Sequence, residues 1–259
     1  MLYKNYFNYR PLTPDELNRF KEDGYLILKN VLTTEGLNKM REEVMQAWNA
    51  EKESFDPSKS WLQNSLLVNI HHKAPTVKKY YFEGPLVEIA SQIIGPNIKG
   101  ATSQLTFKMV GNIKPFGWHQ DNGYGELDPY NALTTLTAID DTDRGNGCLW
   151  LIPGSHKKGQ VRVKQTEDQK KSQSEIIVEA DDSLAVPMEM KAGDALIFNC
   201  WMLHKSDGNY STDRDRRILF LRYADADAVE VYNNGKPRLG RLVKGQTRFE
   251  EVKNFEADL

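Results

Sequence analysis

The chain has 259 residues, 39% hydrophobic and 27% charged, the balance of an ordinary folded protein that buries a full core without staples. A formal net charge of -2 gives no electrostatic case for nucleic acid or an anionic membrane. No run approaches the roughly 18 apolar residues of a membrane span. The opening Met1-Leu2-Tyr3-Lys4-Asn5 lacks a signal peptide's apolar stretch, and Cys148 and Cys200 form no C-x-x-C pair. The expectation is therefore a cytoplasmic protein with two buried thiols.

The first part of the chain, to about residue 97, reads as helices with a strand between them. Thr13-Pro14-Asp15-Glu16 is a capping box with proline at the first helical position, and Gly24 suits the left-handed residue that ends that helix. Tyr25-Leu26-Ile27-Leu28 reads as a strand. A second helix follows Thr34, with Leu37, Met40, Val44 and Trp48 recurring at three- and four-residue steps. His71 and His72, before Lys73 and Pro75, read as surface-loop residues. A third helix runs from Pro85 through Leu86, Ile89 and Ile93 to Gly95-Pro96.

From about residue 98 the pattern changes to short β runs separated by turn chemistry, at 102–110, 133–139, 148–152, 195–198 and 216–223. Many short strands of this kind predict a closed barrel or jelly roll. The polar stretch 157–183 reads as a solvated loop or as a lid over the barrel mouth. His156, in Pro153-Gly154-Ser155-His156, reads as a loop-stabilising residue. After residue 225 a C-terminal extension carries one hairpin signal, Asn233-Asn234-Gly235, and the surface charges Lys236, Arg238, Arg241 and Lys244. One domain spans 1–259: a helical part at about 12–97, a jelly-roll core at about 98–225, and the extension 226–259.

The chemistry concentrates in Trp118-His119-Gln120-Asp121 and in His204, far downstream after the run 195–198. His119 and Asp121 lie two apart, so on a strand both point to one face. With His204 from another strand they make a facial triad, the ligand set of non-heme iron(II), which leaves positions open for a cosubstrate and oxygen. A dicarboxylate cosubstrate such as 2-oxoglutarate needs a buried, permanently charged, planar donor for its far carboxylate. Arg216, on the strand after His204, fits that need with Ile218 and Phe220 on the same face. Arg217, one residue on and facing the other way, remains the alternative.

These residues carry a resemblance. The chain resembles the phytanoyl-CoA dioxygenase family of iron(II)/2-oxoglutarate oxygenases in four segments in order. They are Leu12-Thr13-Pro14-Asp15-Glu16-Leu17 through Leu28; Trp118-His119-Gln120-Asp121; Asn146-Gly147-Cys148-Leu149-Trp150 with Pro153-Gly154-Ser155-His156; and Gly193-Asp194 through His204, Ser206 and Arg216. The resemblance implies an α+β fold, with a double-stranded β-helix (a cupin-like jelly roll) as core and the N-terminal helices flanking it. It implies His119, Asp121 and His204 as iron ligands, Arg216 as the partner of the 2-oxoglutarate carboxylate, and Ser206 as an assisting hydroxyl. Gln104 and Lys108, four apart on the strand before the metal motif, resemble positions lining the cosubstrate and substrate pocket.

The implied activity is hydroxylation of an unactivated C–H bond of a small molecule, with O2 consumed and succinate and CO2 released; desaturation or ring closure share the same chemistry. The carboxylate of Asp121 argues against a halogenase, which needs that position for a halide. The stretch from His204 to Arg216 is one residue longer than the family's usual spacing, which keeps Arg217 open, and Leu136 stands where many members have tryptophan. Lys108, His71, His72, Trp118, Asn122 and Tyr124 are candidates for the substrate pocket. The ending Ala257-Asp258-Leu259 is not a peroxisomal address. Two other readings remain: a cupin-like metal enzyme without 2-oxoglutarate, which needs no arginine after His204, and a non-catalytic jelly-roll binding module, in which Asp121→Ala has little effect on metal.

Overall fold

Thr13 and Glu16 cap the first helix as their spacing dictates. The Thr13 hydroxyl accepts from the Glu16 N–H at 3.2 Å, and the Glu16 carboxylate accepts from the Thr13 N–H at 3.0 Å. This computed structural model describes residues 5–52, 66–121, 127–161 and 178–259. Helix α1 (Pro14–Asp23) stops at Gly24, whose φ of +83° admits few other residues. A side chain there would also strike the His156 ring, whose Nε2 lies 3.1 Å from the Lys21 carbonyl.

Strand β1 (Tyr25–Leu28) and helix α2 (Thr34–Glu51, capped by Thr33) follow as the periodicity predicts. The chain continues through β2 (Leu66–Val68), a 3-10 turn (Ile70–His72), α3 (Pro75–Glu83) and α4 (Pro85–Ile94). Helix α3 has no local side-chain cap. Its N-terminus is satisfied from α2 instead, where the buried Glu43 carboxylate accepts from the Thr76 N–H at 2.6 Å and its hydroxyl at 2.9 Å.

The strands form two facing antiparallel sheets, the layers of a jelly roll. The large sheet has the order β1, β9 (Ala195–Asn199), β6 (Ala132–Ala138), β11 (Arg216–Asp225), β3 (Ile98–Lys108), β14 (Leu242–Lys244), with β2 also on β3. The small sheet has the order β4 (Phe116–His119), β10 (His204–Ser206), β7 (Leu149–Leu151), β8 (Val186–Met188). A three-stranded ribbon of β13 (Lys236–Pro237), β12 (Val229–Glu230) and β5 (Leu127–Asp128) contains the C-terminal hairpin, which turns at Asn234 and Gly235. A short helix, α5 (Glu250–Asn254), lies near the end.

The large sheet is covered on both faces. Leu105, Leu133, Ile197, Leu219, Leu221 and Tyr223 pack with the helices through Tyr80, Leu86 and Ile89. Leu136, Leu196, Phe198 and Ile218 pack on Leu149, Leu151 and Met188 of the small sheet. Every residue of β6 is therefore buried, as a strand in the middle of three layers must be. The fold class and the three expected helices, α1, α2 and α4, agree with the sequence reading; α3 was not expected. Among the described residues, no helix is long and apolar enough to cross a membrane.

Candidate metal centre

His119 is the last residue of β4 and His204 the first of β10, and the two are direct cross-strand partners. The β4–β10 register shifts by a bulge before Ser206 reaches Phe116. Asp121 lies just beyond β4 rather than on it. It comes round to the histidines because Gln120 is buried at the bend. The Gln120 amide donates to the Gly159 and Trp201 carbonyls at 2.9 and 2.6 Å and its oxygen accepts from the Val161 N–H at 2.8 Å.

One ligand-type atom from each of His119, Asp121 and His204 lies within 4.8 Å of the others. The imidazole centroids are 4.0 Å apart, and His204 Nε2 is 3.4 Å from Asp121 Oδ1. Both rings are oriented the same way. His119 Nδ1 faces the Gly117 carbonyl at 2.8 Å and His204 Nδ1 faces the Met202 carbonyl at 3.0 Å, each two residues back in its own chain. With Nδ1–H donating to those carbonyls, both Nε2 lone pairs are available to a metal.

Burial, then the neighbouring His204, pushes the His119 imidazole down to about 3, so it is neutral as a ligand must be. Burial raises the Asp121 carboxyl, but His204, Arg222 and His119 outweigh it and the group stays ionised. Thr134 donates its hydroxyl to Asp121 Oδ2, and Arg222 Nη1 donates to the Asp121 carbonyl at 3.4 Å. Two imidazoles and one ionised carboxylate on one side fit a divalent iron ion.

The triad opens on a cavity of about 310 Å³, at the small end of the roughly 300–1,000 Å³ common for ligand sites. Gln104, Lys108, Ser206 and Arg216 all line it. Arg216 is buried, and its Nε has no hydrogen-bond partner among the described residues. Burial brings its guanidinium down to about 10, still well above neutrality. A buried cation with an unmatched donor facing a cavity fits the carboxylate of a dicarboxylate cosubstrate. Arg217 points the other way. It holds Asp140 with Nε and Nη2 at 2.6 Å each, on the sheet face toward α2. Lys108 Nζ donates to Ser206 Oγ at 2.9 Å and to the Ser206 and Asp207 carbonyls, so it fixes the hydroxyl two residues past His204.

Other sequence candidates fall elsewhere. His71 is buried, not on a surface loop, because the 3-10 turn packs its ring against Tyr81 and Phe82; it is outside the cavity lining. His72 is exposed. Trp118 is buried among Ile152, Val178 and Leu203, with its indole N–H on Asp182 at 3.0 Å. Asn122 and Tyr124 lie outside the described residues, as does 162–177, most of the loop-or-lid stretch. Cys148 and Cys200 are free and buried. Sequence reasoning missed Thr134, whose hydroxyl meets Asp121, and the apolar lining residues Phe116, Phe198 and Leu149. The apolar and threonine character of β6 conceals which face is inward, since both faces are buried.

The sequence matches the profile of the phytanoyl-CoA dioxygenase (PhyH) family over residues 20–218. It is 26% identical over 258 residues to a phytanoyl-CoA dioxygenase of Arabidopsis thaliana, covering 85% of this chain and 91% of that protein. It is 27% identical over 237 residues to the methylphosphonate hydroxylase of Gimesia maris, covering 88% and 87%. Among solved structures, the non-heme monooxygenase ThoJ in its apo form superposes with a TM-score of 0.71 at 22% identity, covering 89% of this chain and 84% of that one. EctD of S. alaskensis with 2-oxoglutarate and 5-hydroxyectoine superposes with a TM-score of 0.68 at 21% identity, covering 86% and 79%.

Proposed function

The chain belongs to the phytanoyl-CoA dioxygenase family, and from that premise we propose that it is an iron(II)- and 2-oxoglutarate-dependent dioxygenase. Its reaction is the hydroxylation of an unactivated C–H bond of a small molecule, with release of succinate and CO2. The observation that carries this reading is the convergence of His119, Asp121 and His204 within 4.8 Å at the wall of a cavity that also holds the buried cation Arg216. Iron held by those three residues would supply oxygen activation coupled to oxidation of the cosubstrate.

The chain's own residues do the rest. The Nδ1 contacts of His119 and His204 orient both rings with Nε2 toward the site, and Thr134 orients Asp121. Arg216 takes the far carboxylate of 2-oxoglutarate, and Ser206, steadied by Lys108, offers a hydroxyl to the same group. Gln104 lies on the same wall as Lys108, two pleats away. Phe116, Phe198, Leu136 and Phe220 form an apolar wall that limits water around the reacting centre. The modest cavity favours a small substrate.

The experiment is oxygen-dependent succinate release from 2-oxoglutarate by the iron-loaded protein, with and without a panel of small anionic and zwitterionic substrates. The reading expects slow release without substrate, faster release with a productive one, and none from Asp121→Ala. Normal iron binding with no succinate under any condition would assign the chain to cupin-like enzymes that use no cosubstrate.

A further inference from the structure

A second group of ligand-type side chains sits on the opposite face of β3 from Gln104. It consists of His71 and His72 in the 3-10 turn after β2, and Glu256 just beyond α5. One ligand-type atom from each lies within 4.8 Å of the others. We propose that His71, His72 and Glu256 form a second metal site, separate from the first, that takes a zinc-class divalent cation.

His71 is 5% exposed, and its ring is fixed by three neighbours. Nδ1 meets the hydroxyl of Ser103, itself buried on β3, and the ring packs edge-on against Tyr81 and Phe82. That leaves Nε2 directed at Glu256 Oε2, 3.2 Å away. The turn places the His72 ring perpendicular to it, centroids 4.2 Å apart, with its Nε2 2.8 Å from Glu256 Oε1. Both imidazoles therefore aim the same nitrogen at one carboxylate. An imidazole whose other nitrogen is already hydrogen-bonded is oriented for a metal, as ligating histidines are by their outer partners.

The spacing suits the ion. Bonds of about 2.0–2.1 Å in a tetrahedral zinc site put neighbouring ligand atoms roughly 3.3 Å apart, against 3.2 and 2.8 Å from the two imidazole nitrogens to the Glu256 oxygens. The two imidazole nitrogens are borderline donors that favour zinc, cobalt or nickel over magnesium and calcium, which want oxygen alone. Glu256 has a φ of +53°, a backbone state that residues with side chains seldom adopt. His72 is 43% exposed on its side chain, so the ion has an entry path and a face for a water ligand. Bound there, it would tie the turn after β2 to a residue 185 positions along the chain.

The test is zinc stoichiometry by native mass spectrometry on chelator-stripped protein, in wild type and three variants. Wild type should hold two ions. His72→Ala and Glu256→Ala, both at partly exposed side chains, should hold one. His119→Ala should keep one ion, and with cobalt should show the intense visible absorption of a four-coordinate centre. Zinc should also raise the unfolding temperature of His119→Ala, and that rise should vanish when His72→Ala is added. A single ion in wild type that His119→Ala removes, or a second ion that His72→Ala and Glu256→Ala both retain, overturns the proposal. In the first outcome the cluster is a set of hydrogen bonds and nothing more.

Discussion

Arg216 and Arg217 are adjacent on β11 and serve opposite faces of one sheet. Arg216 is buried in the cavity wall, whereas Arg217 makes a two-pronged contact with Asp140 on the helix side. Strand alternation alone separates the cosubstrate-binding role proposed for Arg216 from the structural one of Arg217. Arg216→Ala should raise the KM for 2-oxoglutarate about 10- to 100-fold, equivalent to about 1.4–3 kcal/mol. Arg217→Ala should leave that KM within about 2-fold and lower stability by about 1–3 kcal/mol, because Asp140 loses its closest partner. Steady-state kinetics and urea melts on the two variants decide this, and exchanged phenotypes would reverse the assignment.

Thr134 should tune the metal without binding it. Its hydroxyl donates to Asp121 Oδ2, so Thr134→Val removes the contact that orients the carboxylate. Iron affinity should fall about 10- to 100-fold, with the fold intact. Asp121→Ala should abolish tight binding altogether. Titration of anaerobic protein with iron(II) measures both, and an unchanged affinity in Thr134→Val would show that the hydroxyl only packs.

Glu43 should matter to stability although it lies far from the cavity. It is buried and takes both the N–H and hydroxyl of Thr76, the only side-chain cap that α3 receives among the described contacts. Glu43→Ala strands those donors and should cost about 1–3 kcal/mol in chemical denaturation. Thr76→Val alone should cost less, since the backbone N–H keeps its acceptor.

The capping box predicts a specific acid sensitivity. Hydrogen bonds from Arg10, then from the Thr13 backbone, hold the Glu16 carboxyl down to about 2, from an ordinary 4.5. The folded value lies below the unfolded one, so this stabilisation is full above pH 4.5 and drains away as pH falls toward 2. Because the pair is solvent-screened, its worth is about 0.5–1 kcal/mol. Wild type should exceed Glu16→Gln by that margin at pH 7, and the gap should narrow below pH 4.5 and close only at about pH 2. A gap that persists at low pH would place the effect in packing rather than charge.

Elements with local signals were legible. Thr13, Glu16 and Gly24 bracket α1 within a dozen residues, and the apolar steps of α2 need no distant partner. Helix α3 was missed because its cap, Glu43, comes from another helix, and no sequence rule links positions 43 and 76. Strands β4 and β10 have only four and three residues, too few for alternation to register. The pairing of His119 with Asp121 was expected from a shared strand face; the two meet instead because the chain bends at buried Gln120. The burial of His71 was hidden for a similar reason, since Ser103 and Glu256, which receive it, are distant in sequence.

His119 and His204 face each other across two neighbouring antiparallel strands, with a bulge setting the offset beyond them. Because side chains alternate along a strand, a slip of one residue would turn one imidazole to the far side. An ion that demands both rings therefore rewards a single alignment of β4 on β10 and none of its neighbours. Loading would then proofread assembly: a misthreaded edge would go unclaimed, and the correctly threaded one would be drawn off by mass action. Apoprotein should accordingly hold these two strands more loosely than the rest of the sheet, with faster amide exchange at their shared edge that slows when iron is added.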